Sequence, residues 1–337
     1  MKVLITGCSG FVGRHVLRAL SVPAVRQHLH LVATGRQAGP DAEAAALADA
    51  YVPADLASGL APVPASVCVH TAGLADDFSR PETLHVANVF ATENLLRSLP
   101  DCRLFIFISS ASVYGRCSAP LKEDDAIATS ATSAYGRSKW LAEDVVRREC
   151  ASRGIHAIIL RPRAIYGAGD RVLLPRLRRL MRPPSLWLVG SGDAQMSLTY
   201  VGHLRSLIAR LVSTPSAWCS GIFNVADPVT YRLGAVLEEA YQVLHGRAPV
   251  TRHIPIRAAR GYIATARWLR LRSRLSEQAL DYVTQDCVLD CTRAHDVLHY
   301  APTGTFFDHS AELTSSSGAN VERHSGAHGH ESAGVLQ

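Results

Sequence analysis

The feature that most constrains this chain is a glycine-rich stretch near its start, Thr6-Gly7-Cys8-Ser9-Gly10-Phe11-Val12-Gly13. It follows a short apolar run, Val3-Leu4-Ile5, and precedes an apolar-periodic segment at 16–20. Between a strand and a helix, the first glycine permits a tight turn, the second lets backbone amides approach a pyrophosphate, and the third allows close helix–strand packing. The helix N-terminus there offers unpaired N–H groups and a positive dipole end. We therefore predict a dinucleotide-binding turn with ligand contacts from Gly7, Ser9, Gly10, Phe11, Val12 and Gly13.

The remaining apolar pattern predicts an α/β fold, a doubly wound parallel sheet (Rossmann) with a smaller C-terminal substrate-binding lobe. Strands are expected at 30–34, 51–56, 67–70, 104–108, 158–160, 187–189 and 222–225. Helices are expected at 42–50, 81–99, 135–150, 203–213, 232–245 and 257–270. We predict a dinucleotide-binding domain at 1–165, to which part of 198–230 returns, a lobe at 166–312, and a disordered tail at 313–337 that is rich in Ser, Gly and His.

Composition limits the partners and the location. The formal net charge is +6, but the basic residues are scattered arginines, with lysine only at positions 2, 122 and 139. A nucleic-acid partner requires a concentrated basic patch, so we expect none. The eight cysteines lack paired metal-ligand spacing, which predicts no metal site. A strand that begins at residue 2 leaves no room for a signal peptide, and no uncharged run reaches membrane-spanning length, so we expect a cytoplasmic protein without stable membrane insertion.

Further sequence pieces, in a fixed order, resemble a known family. They are Asp55-Leu56, Ala72-Gly73, Asn88-Val89, Asn94-Leu95-Leu96, Ser109-Ser110, Val113-Tyr114-Gly115, Tyr135 with Lys139, Leu160-Arg161-Pro162 and Tyr166-Gly167. Together with the glycine turn they resemble the extended short-chain dehydrogenase/reductase family, also called the NAD(P)-dependent epimerase/dehydratase family. The later segments 195–201, 290–294 and 298–300 are more similar to its 3β-hydroxysteroid-dehydrogenase-like branch.

The resemblance implies roles for individual positions. Tyr135 matches the family's acid/base, Ser110 its catalytic serine or threonine, and Lys139 the helper of the tyrosine. Asn88 lies on the helix that supports the active-site water network in relatives, and a polar residue that merely distorts the helix is the alternative. The implied cofactor contacts are Asp55 and Leu56 at the adenine, Ala72 and Gly73 along the pyrophosphate, and Ser109, Tyr135, Lys139 and Pro162.

The chemistry can also be argued from the residues. Tyr135 and Lys139 lie four positions apart, hence on one helical face, and the hydroxyls of Ser109 and Ser110 follow a strand whose carboxyl end is expected to face the cofactor crevice. Hydride transfer between a carbinol carbon and nicotinamide requires a proton to move at the alcohol oxygen. A free tyrosine has a pKa of about 10, which must fall by roughly 3 units for exchange near neutral pH. Lys139 and the cationic oxidised nicotinamide favour the phenolate, while Ser110 holds the substrate oxygen.

The end of the second strand, Gly35-Arg36, bears on the choice of cofactor. Dinucleotide folds read the ribose about 20 residues beyond the glycines, with an acid for NAD or a nearby arginine for NADP. No carboxylate is present at this strand end, and a 2′-phosphate would meet Arg36. We expect NADP, with NAD as the alternative cofactor and a solvated loop arginine as the alternative role of Arg36.

The substrate class is predicted from what is missing. Nucleotide-sugar members usually carry a diphosphate-binding arginine where this chain has Met196-Ser197-Leu198, and Gly202-His203 replaces the usual acidic pair. We therefore expect a small, largely apolar substrate of steroid, polyketide or β-keto-acid type, reduced at a ketone or oxidised at a secondary alcohol. The alternatives are a non-catalytic NADP-binding regulator and a nucleotide-sugar epimerase or dehydratase, for which Arg163, Arg171 or Arg176 could bind a phosphate from another direction. We also expect a homodimer, and a 257–270 helix that packs through an apolar face rather than contacting a membrane surface or covering substrate.

Overall fold

The computed structural model describes residues 1–76, 79–115, 120–125, 133–269 and 277–314. Its strands are β1 (Lys2–Thr6), β2 (His30–Gly35), β3 (Ala50–Pro53), β4 (Val67–His70), β5 (Leu104–Ile108), β6 (His156–Pro162), β7 (Ile165–Tyr166), β8 (Met181–Arg182), β9 (Ser185–Val189), β10 (Gln195–Met196), β11 (Thr199–Tyr200), β12 (Gly221–Val225), β13 (Tyr231–Arg232) and β14 (Val250–Ile254). Its α-helices are α1 (Phe11–Leu20), α2 (Pro23–Arg26), α3 (Ala42–Leu47), α4 (Pro81–His85), α5 (Ala91–Arg97), α6 (Ala134–Ser152), α7 (Leu173–Arg178), α8 (Val201–Ser213), α9 (Leu233–His245), α10 (Ile256–Trp268), α11 (Glu277–Thr284), α12 (Thr292–Leu298) and α13 (Phe306–His309). A π-helical turn, Val86–Phe90, joins α4 to α5, and 3-10 turns lie at Ala111–Tyr114, Pro215–Ala217 and Ser310–Thr314.

Seven parallel strands form the central sheet, in the order β12-β6-β5-β4-β1-β2-β3. Every residue of β4 and β5 is buried, as a sheet covered on both faces requires. The chain order reverses between β1 and β4, and doubly wound sheets bind ligands beyond the carboxyl ends of their strands at such a reversal. The predicted α/β fold with a doubly wound Rossmann sheet is confirmed.

Alternation of side chains along the strands divides the apolar residues between two cores. Val3 and Ile5 pack with Leu204 of α8 on one face, whereas Leu4 and Phe105 pack with the apolar side of α6 on the other. Helices α1 and α6 each follow a strand of the sheet, so their N-termini lie at its carboxyl edge. The fold therefore brings both helix starts to the predicted crevice.

The last strand of the sheet comes from far along the chain. β12 pairs with β6 from Gly221 opposite Ile158 to Val225 opposite Pro162. After β6 the chain builds β7 to β11, and it returns through α8, which packs on α1, and then through β12. The predicted division at residue 165, with part of 198–230 returning, stays a prediction.

The rest of the chain forms a lobe with a core of its own. Tyr166, Leu188, Tyr241 and Phe306 are buried in this core, beside a three-stranded sheet in the order β14-β9-β8. No strand is predicted at β14, Val250–Ile254. None of its residues is fully buried, so its sequence carries no apolar alternation that would reveal it.

Several predicted boundaries are wrong. The predicted strand 51–56 ends at Pro53, so Asp55 and Leu56 lie beyond it. The predicted helix 42–50 ends at Leu47, because Ala48 is extended and Ala50 begins β3. The predicted start of the disordered tail at residue 313 is too early, because Leu313 is buried in the 3-10 turn Ser310–Thr314. Residues 315–337 of that tail lie outside the described residues.

Helix α10 buries Ala259, Ile263 and Ala266, and the first two pack with Val189 and Leu280 of the lobe. This is the packing expected of an amphipathic helix, and position 270 of the predicted helix lies outside the described residues. In the part of the chain that the structure describes, no helix has both the length and the apolar character needed to cross a membrane.

Candidate active site

The glycine-rich turn joins β1 to α1 at the carboxyl edge of the sheet. A Cβ atom at position 13 would lie 2.2 Å from the carbonyl oxygen of Gly7, so only glycine lets α1 approach this closely. Gly10 is the N-cap of α1, and no side chain caps the helix. The N–H groups of the first turn, residues 11–13, are therefore available to an anion, and the turn fits a dinucleotide pyrophosphate.

Other predicted cofactor contacts follow neighbouring strands. Beyond the ends of β2, β3 and β4 lie Arg36, Asp55, Leu56, Ala72 and Gly73. Arg36 and Asp55 are exposed and Leu56 is buried. The Ala72 N–H donates to Thr6 Oγ1 at 3.2 Å, which ties the loop after β4 to the end of β1. One edge of the sheet thus carries all five residues, and their contacts with a cofactor stay predictions.

The two serines after β5 have different surroundings. Ser110 caps the 3-10 turn Ala111–Tyr114, and its Oγ accepts from the Ser112 N–H at 3.1 Å. The Ser109 hydroxyl is buried and donates to the carboxylate of Glu143 on α6. The prediction that both hydroxyls face the crevice is wrong for Ser109, because its hydroxyl donates a hydrogen bond to the buried Glu143 carboxylate. A contact from Ser109 to a cofactor would have to come from its backbone.

Tyr135 lies in the first turn of α6, beside the turn that follows Ser110. Ser133 caps this helix by accepting from the Gly136 N–H at 3.0 Å. A Cβ atom at position 136 would lie 2.1 Å from the Ser112 carbonyl oxygen, so glycine is required for α6 to start this close to the turn. Gly136 therefore lets the first turn of α6, which carries Tyr135, pack against the 3-10 turn that Ser110 caps.

Lys139 follows Tyr135 by one helical turn and is 4% exposed. Its ammonium donates to the Ile108 carbonyl oxygen at 2.6 Å and lies 4.1 Å from the centre of the Phe107 ring. Burial lowers the pKa of Lys139 to about 7, and the Glu143 carboxylate opposes that shift. The ammonium is therefore fixed at the end of β5, with a proton that it can lose near neutral pH.

Asn88 is buried in the π-helical turn between α4 and α5. Its carboxamide accepts from the Leu74 N–H at 2.8 Å, donates to the Leu74 carbonyl oxygen at 3.1 Å and donates to Ser138 Oγ at 2.9 Å. A Cβ atom at position 73 would lie 3.0 Å from Asn88 Oδ1, so the side chain also lies against Gly73. These contacts are those of a positioning residue that holds the loop after β4, and a role in catalysis stays a prediction.

A buried ion pair that sequence reasoning missed lies under the site. Arg161 and Glu143 are each 2% exposed in their side chains and form two hydrogen bonds, of 2.6 and 2.9 Å. The guanidinium also lies 4.8 Å from the centre of the Tyr114 ring. Glu143 follows Lys139 by four positions, so the same spacing that singled out Tyr135 could have pointed to it. Pro162, a predicted cofactor contact, ends β6 directly after this pair.

The described residues contain no group of three or more His, Cys, Asp or Glu side chains that could hold a metal ion. The glycine-rich turn, the Ser110 loop and the Tyr135–Lys139 face of α6 all lie at the carboxyl edge of the sheet. The model of the NAD dependent epimerase/dehydratase family matches residues 3–226. This chain belongs to that family. The family resemblance stated from the sequence is thereby confirmed.

Proteins related to this chain in sequence include reductases and dehydrogenases. The 2-alkyl-3-oxoalkanoate reductase of Stenotrophomonas maltophilia (strain K279a) is 26% identical over 301 residues, 75% of this chain and 88% of that protein. The human 3 beta-hydroxysteroid dehydrogenase type 7 is 31% identical over 225 residues, 60% of each chain. This chain is an enzyme of the same kind, an oxidoreductase that uses a nicotinamide nucleotide and acts on hydroxyl and keto groups.

A structural comparison finds the same fold in a sugar-nucleotide epimerase. The UDP-glucuronic acid 4-epimerase of Bacillus cereus, in complex with UDP-glucuronic acid and NAD, superposes with a TM-score of 0.72 at 20% identity. The match covers 94% of this chain and 99% of that one. Identity this low supports the fold and leaves the substrate to be argued from the residues of this chain.

Proposed function

We propose that this family member is an NADP(H)-dependent ketone reductase, or in reverse a secondary-alcohol dehydrogenase, with a small and largely apolar substrate. The observation that carries the proposal is the close approach of α6 to the turn after Ser110, which brings Tyr135 and Lys139 to the loop that holds this serine. A bound reduced nicotinamide would supply the hydride for the carbonyl carbon. The protein has to supply a proton and hold the carbonyl oxygen in place.

In this proposal Tyr135 donates the proton to the carbonyl oxygen, while the Ser110 hydroxyl donates a hydrogen bond to the same oxygen. The carbonyl thus gains one hydride on carbon and one proton on oxygen and becomes a secondary alcohol. A cationic Lys139 stabilises the phenolate that Tyr135 becomes after it donates. Because burial places the pKa of Lys139 at about 7, this ammonium can pass on its own proton near neutral pH.

The substrate proposal is supported by the segment before α8. Met196, Ser197 and Leu198 are all buried, and Ser197 Oγ accepts from the Leu289 N–H at 3.0 Å. This segment therefore supplies no cation for a diphosphate, whose burial requires one. The reductase from Stenotrophomonas maltophilia is named for a β-keto acid. We propose a substrate of that kind, or of steroid or polyketide type, for this chain.

The substrate test offers UDP- and dTDP-sugars alongside hydroxysteroids and 3-hydroxy or 3-oxo acids, while the absorbance of reduced nicotinamide is followed. A net change in absorbance is expected with a compound of the second group. Epimerisation of a sugar nucleotide without a net change would contradict the proposal and favour the nucleotide-sugar alternative.

The preference for NADP(H) rests on the exposed Arg36 just after β2, an end of strand without a carboxylate. NADPH is expected to bind more tightly than NADH, because a charge-assisted phosphate contact contributes about 1.5–3 kcal/mol, or roughly 10- to 150-fold in affinity. Arg36→Ala is expected to weaken NADPH binding toward that of NADH and to leave NADH unchanged. Fluorescence titration of both nucleotides measures this, and equal affinities in the unaltered protein would remove the argument. A homodimer and a cytoplasmic location stay predictions.

A further inference from the structure

Arg163 is a buried cation without an anion. It is 7% exposed, and its Nε atom has no hydrogen-bond partner. No carboxylate among the described residues forms an ion pair with its side chain. The guanidinium lies over the Tyr282 ring of α11, whose centre is 4.7 Å away. A ring face is only a weak hydrogen-bond acceptor and an unpaired buried charge is costly, so an anion bound here would stabilise the guanidinium.

The position of Arg163 connects it to the proposed chemistry. It directly follows Pro162 at the carboxyl end of β6, and its own N–H donates to Thr199 Oγ1 at 3.0 Å. β6 is the neighbour of β5, and the Ser109 N–H donates to the Leu160 carbonyl oxygen at 2.8 Å. The guanidinium thus lies between the sheet edge that carries Ser110 and helix α11 of the lobe.

We propose that Arg163 binds a carboxylate of the substrate and thereby selects acids over neutral ketones and alcohols. This rests on the reductase proposal and narrows its substrate to a 3-oxo acid, or in reverse a 3-hydroxy acid. The planar fork of a guanidinium donates two parallel hydrogen bonds to a carboxylate. β5 and β6 are neighbouring parallel strands, so a substrate held at Ser110 lies beside the strand end that carries Arg163.

A diphosphate fits this place less well. It carries at least two negative charges, whereas Arg163 supplies one positive charge. The segment 196–198, where nucleotide-sugar members usually carry a diphosphate-binding arginine, is buried and uncharged here. A single unpaired guanidinium therefore matches a single carboxylate.

The experiment compares a 2-alkyl-3-hydroxyalkanoate with its methyl ester, which differs only at the acid. Two readouts are used: oxidation with NADP⁺, and calorimetric binding to the NADPH-loaded protein, in which no turnover occurs. The unaltered protein is expected to prefer the acid in both. Arg163→Met is expected to raise KM and Kd for the acid roughly 10- to 150-fold and to leave the ester unchanged. Arg252→Met is the matched control, since this lobe arginine also lies over an aromatic ring, that of Trp187, but on β14.

Several results would overturn the inference. Equal affinity of the unaltered protein for acid and ester would do so without any variant, as would acid binding that survives Arg163→Met. If Arg163→Met does not fold, Arg163→Gln replaces it, with Arg163→Lys expected to recover part of the acid preference. Acid binding that depends on Arg163, without oxidation of either compound, would keep the carboxylate site and refute the reductase proposal. A tighter complex with UDP than with the acid would assign the cation to a diphosphate instead.

Discussion

Tyr135→Phe is expected to lower kcat by about 100-fold or more while NADPH affinity and the folded structure are retained. The variant keeps the ring that packs in the first turn of α6 and removes only the hydroxyl that donates the proton. Because the hydroxyl acts on the reacting oxygen and not on the cofactor phosphates, KM for the nucleotide should change little. Stopped-flow measurement of nicotinamide oxidation in single turnovers isolates the chemical step.

The control for this variant is Tyr262→Phe, since Tyr262 is 56% exposed on α10. It should turn over at the rate of the unaltered protein. Turnover of Tyr135→Phe at that same rate would show that another group supplies the proton, and the assignment of Ser110 and Lys139 around it would then have to be revised.

Glu143→Leu is expected to destabilise the fold by about 3–5 kcal/mol, the largest stability effect we predict. The substitution leaves Arg161, 2% exposed, as a buried charge without a carboxylate, and it removes the acceptor of the Ser109 hydroxyl. Urea unfolding followed by circular dichroism measures the loss in the free energy of unfolding. Catalytic activity is also expected to fall, because Ser109 loses its acceptor and directly precedes Ser110 in the chain.

Two further variants test whether the loss of stability comes from leaving a buried charge unpaired. Asp144→Ala, one residue along α6, removes exposed ion pairs with Arg147 and Arg148 and is expected to cost about 1 kcal/mol or less. Glu143→Leu combined with Arg161→Met removes both charges and is expected to recover much of the stability. A single Glu143→Leu variant as stable as Asp144→Ala would contradict the proposed cost of the unpaired arginine.

Much of the fold was predictable because the sheet is buried on both faces. Continuous apolar runs such as Leu104–Ile108 are typical of central strands in a parallel sheet. The glycine turn in addition indicates where the first strand ends and the first helix begins. The short strands of the lobe were less predictable. Strand β14, Val250–Ile254, is stabilised by pairing with β9 and not by apolar burial, so its residues carry little signal.

The candidate site was predictable only where chemistry fixes a spacing. The four-residue separation of Tyr135 and Lys139 is informative together with the glycine turn and the two serines. The partners that determine the role of each polar group, however, are distant in the sequence. The Ser109 hydroxyl was misplaced because its acceptor, Glu143, lies 34 residues away. The sequence names Arg163 as one of three arginines that could bind a phosphate, but its burial without an ion pair depends on how β6 meets the lobe.

Strand β12 returns to the central sheet from far along the chain and pairs with β6. Within it, Asn224 accepts from the Tyr114 hydroxyl at 2.7 Å and donates to the carbonyl oxygens of Leu121 and Asp290. One side chain thus joins segments that are far apart in the sequence. A fragment cut after β6 would lose its neighbour strand and expose an apolar edge that invites aggregation. Replacing the lobe would therefore require that β12 and the hydrogen bonds of Asn224 be kept.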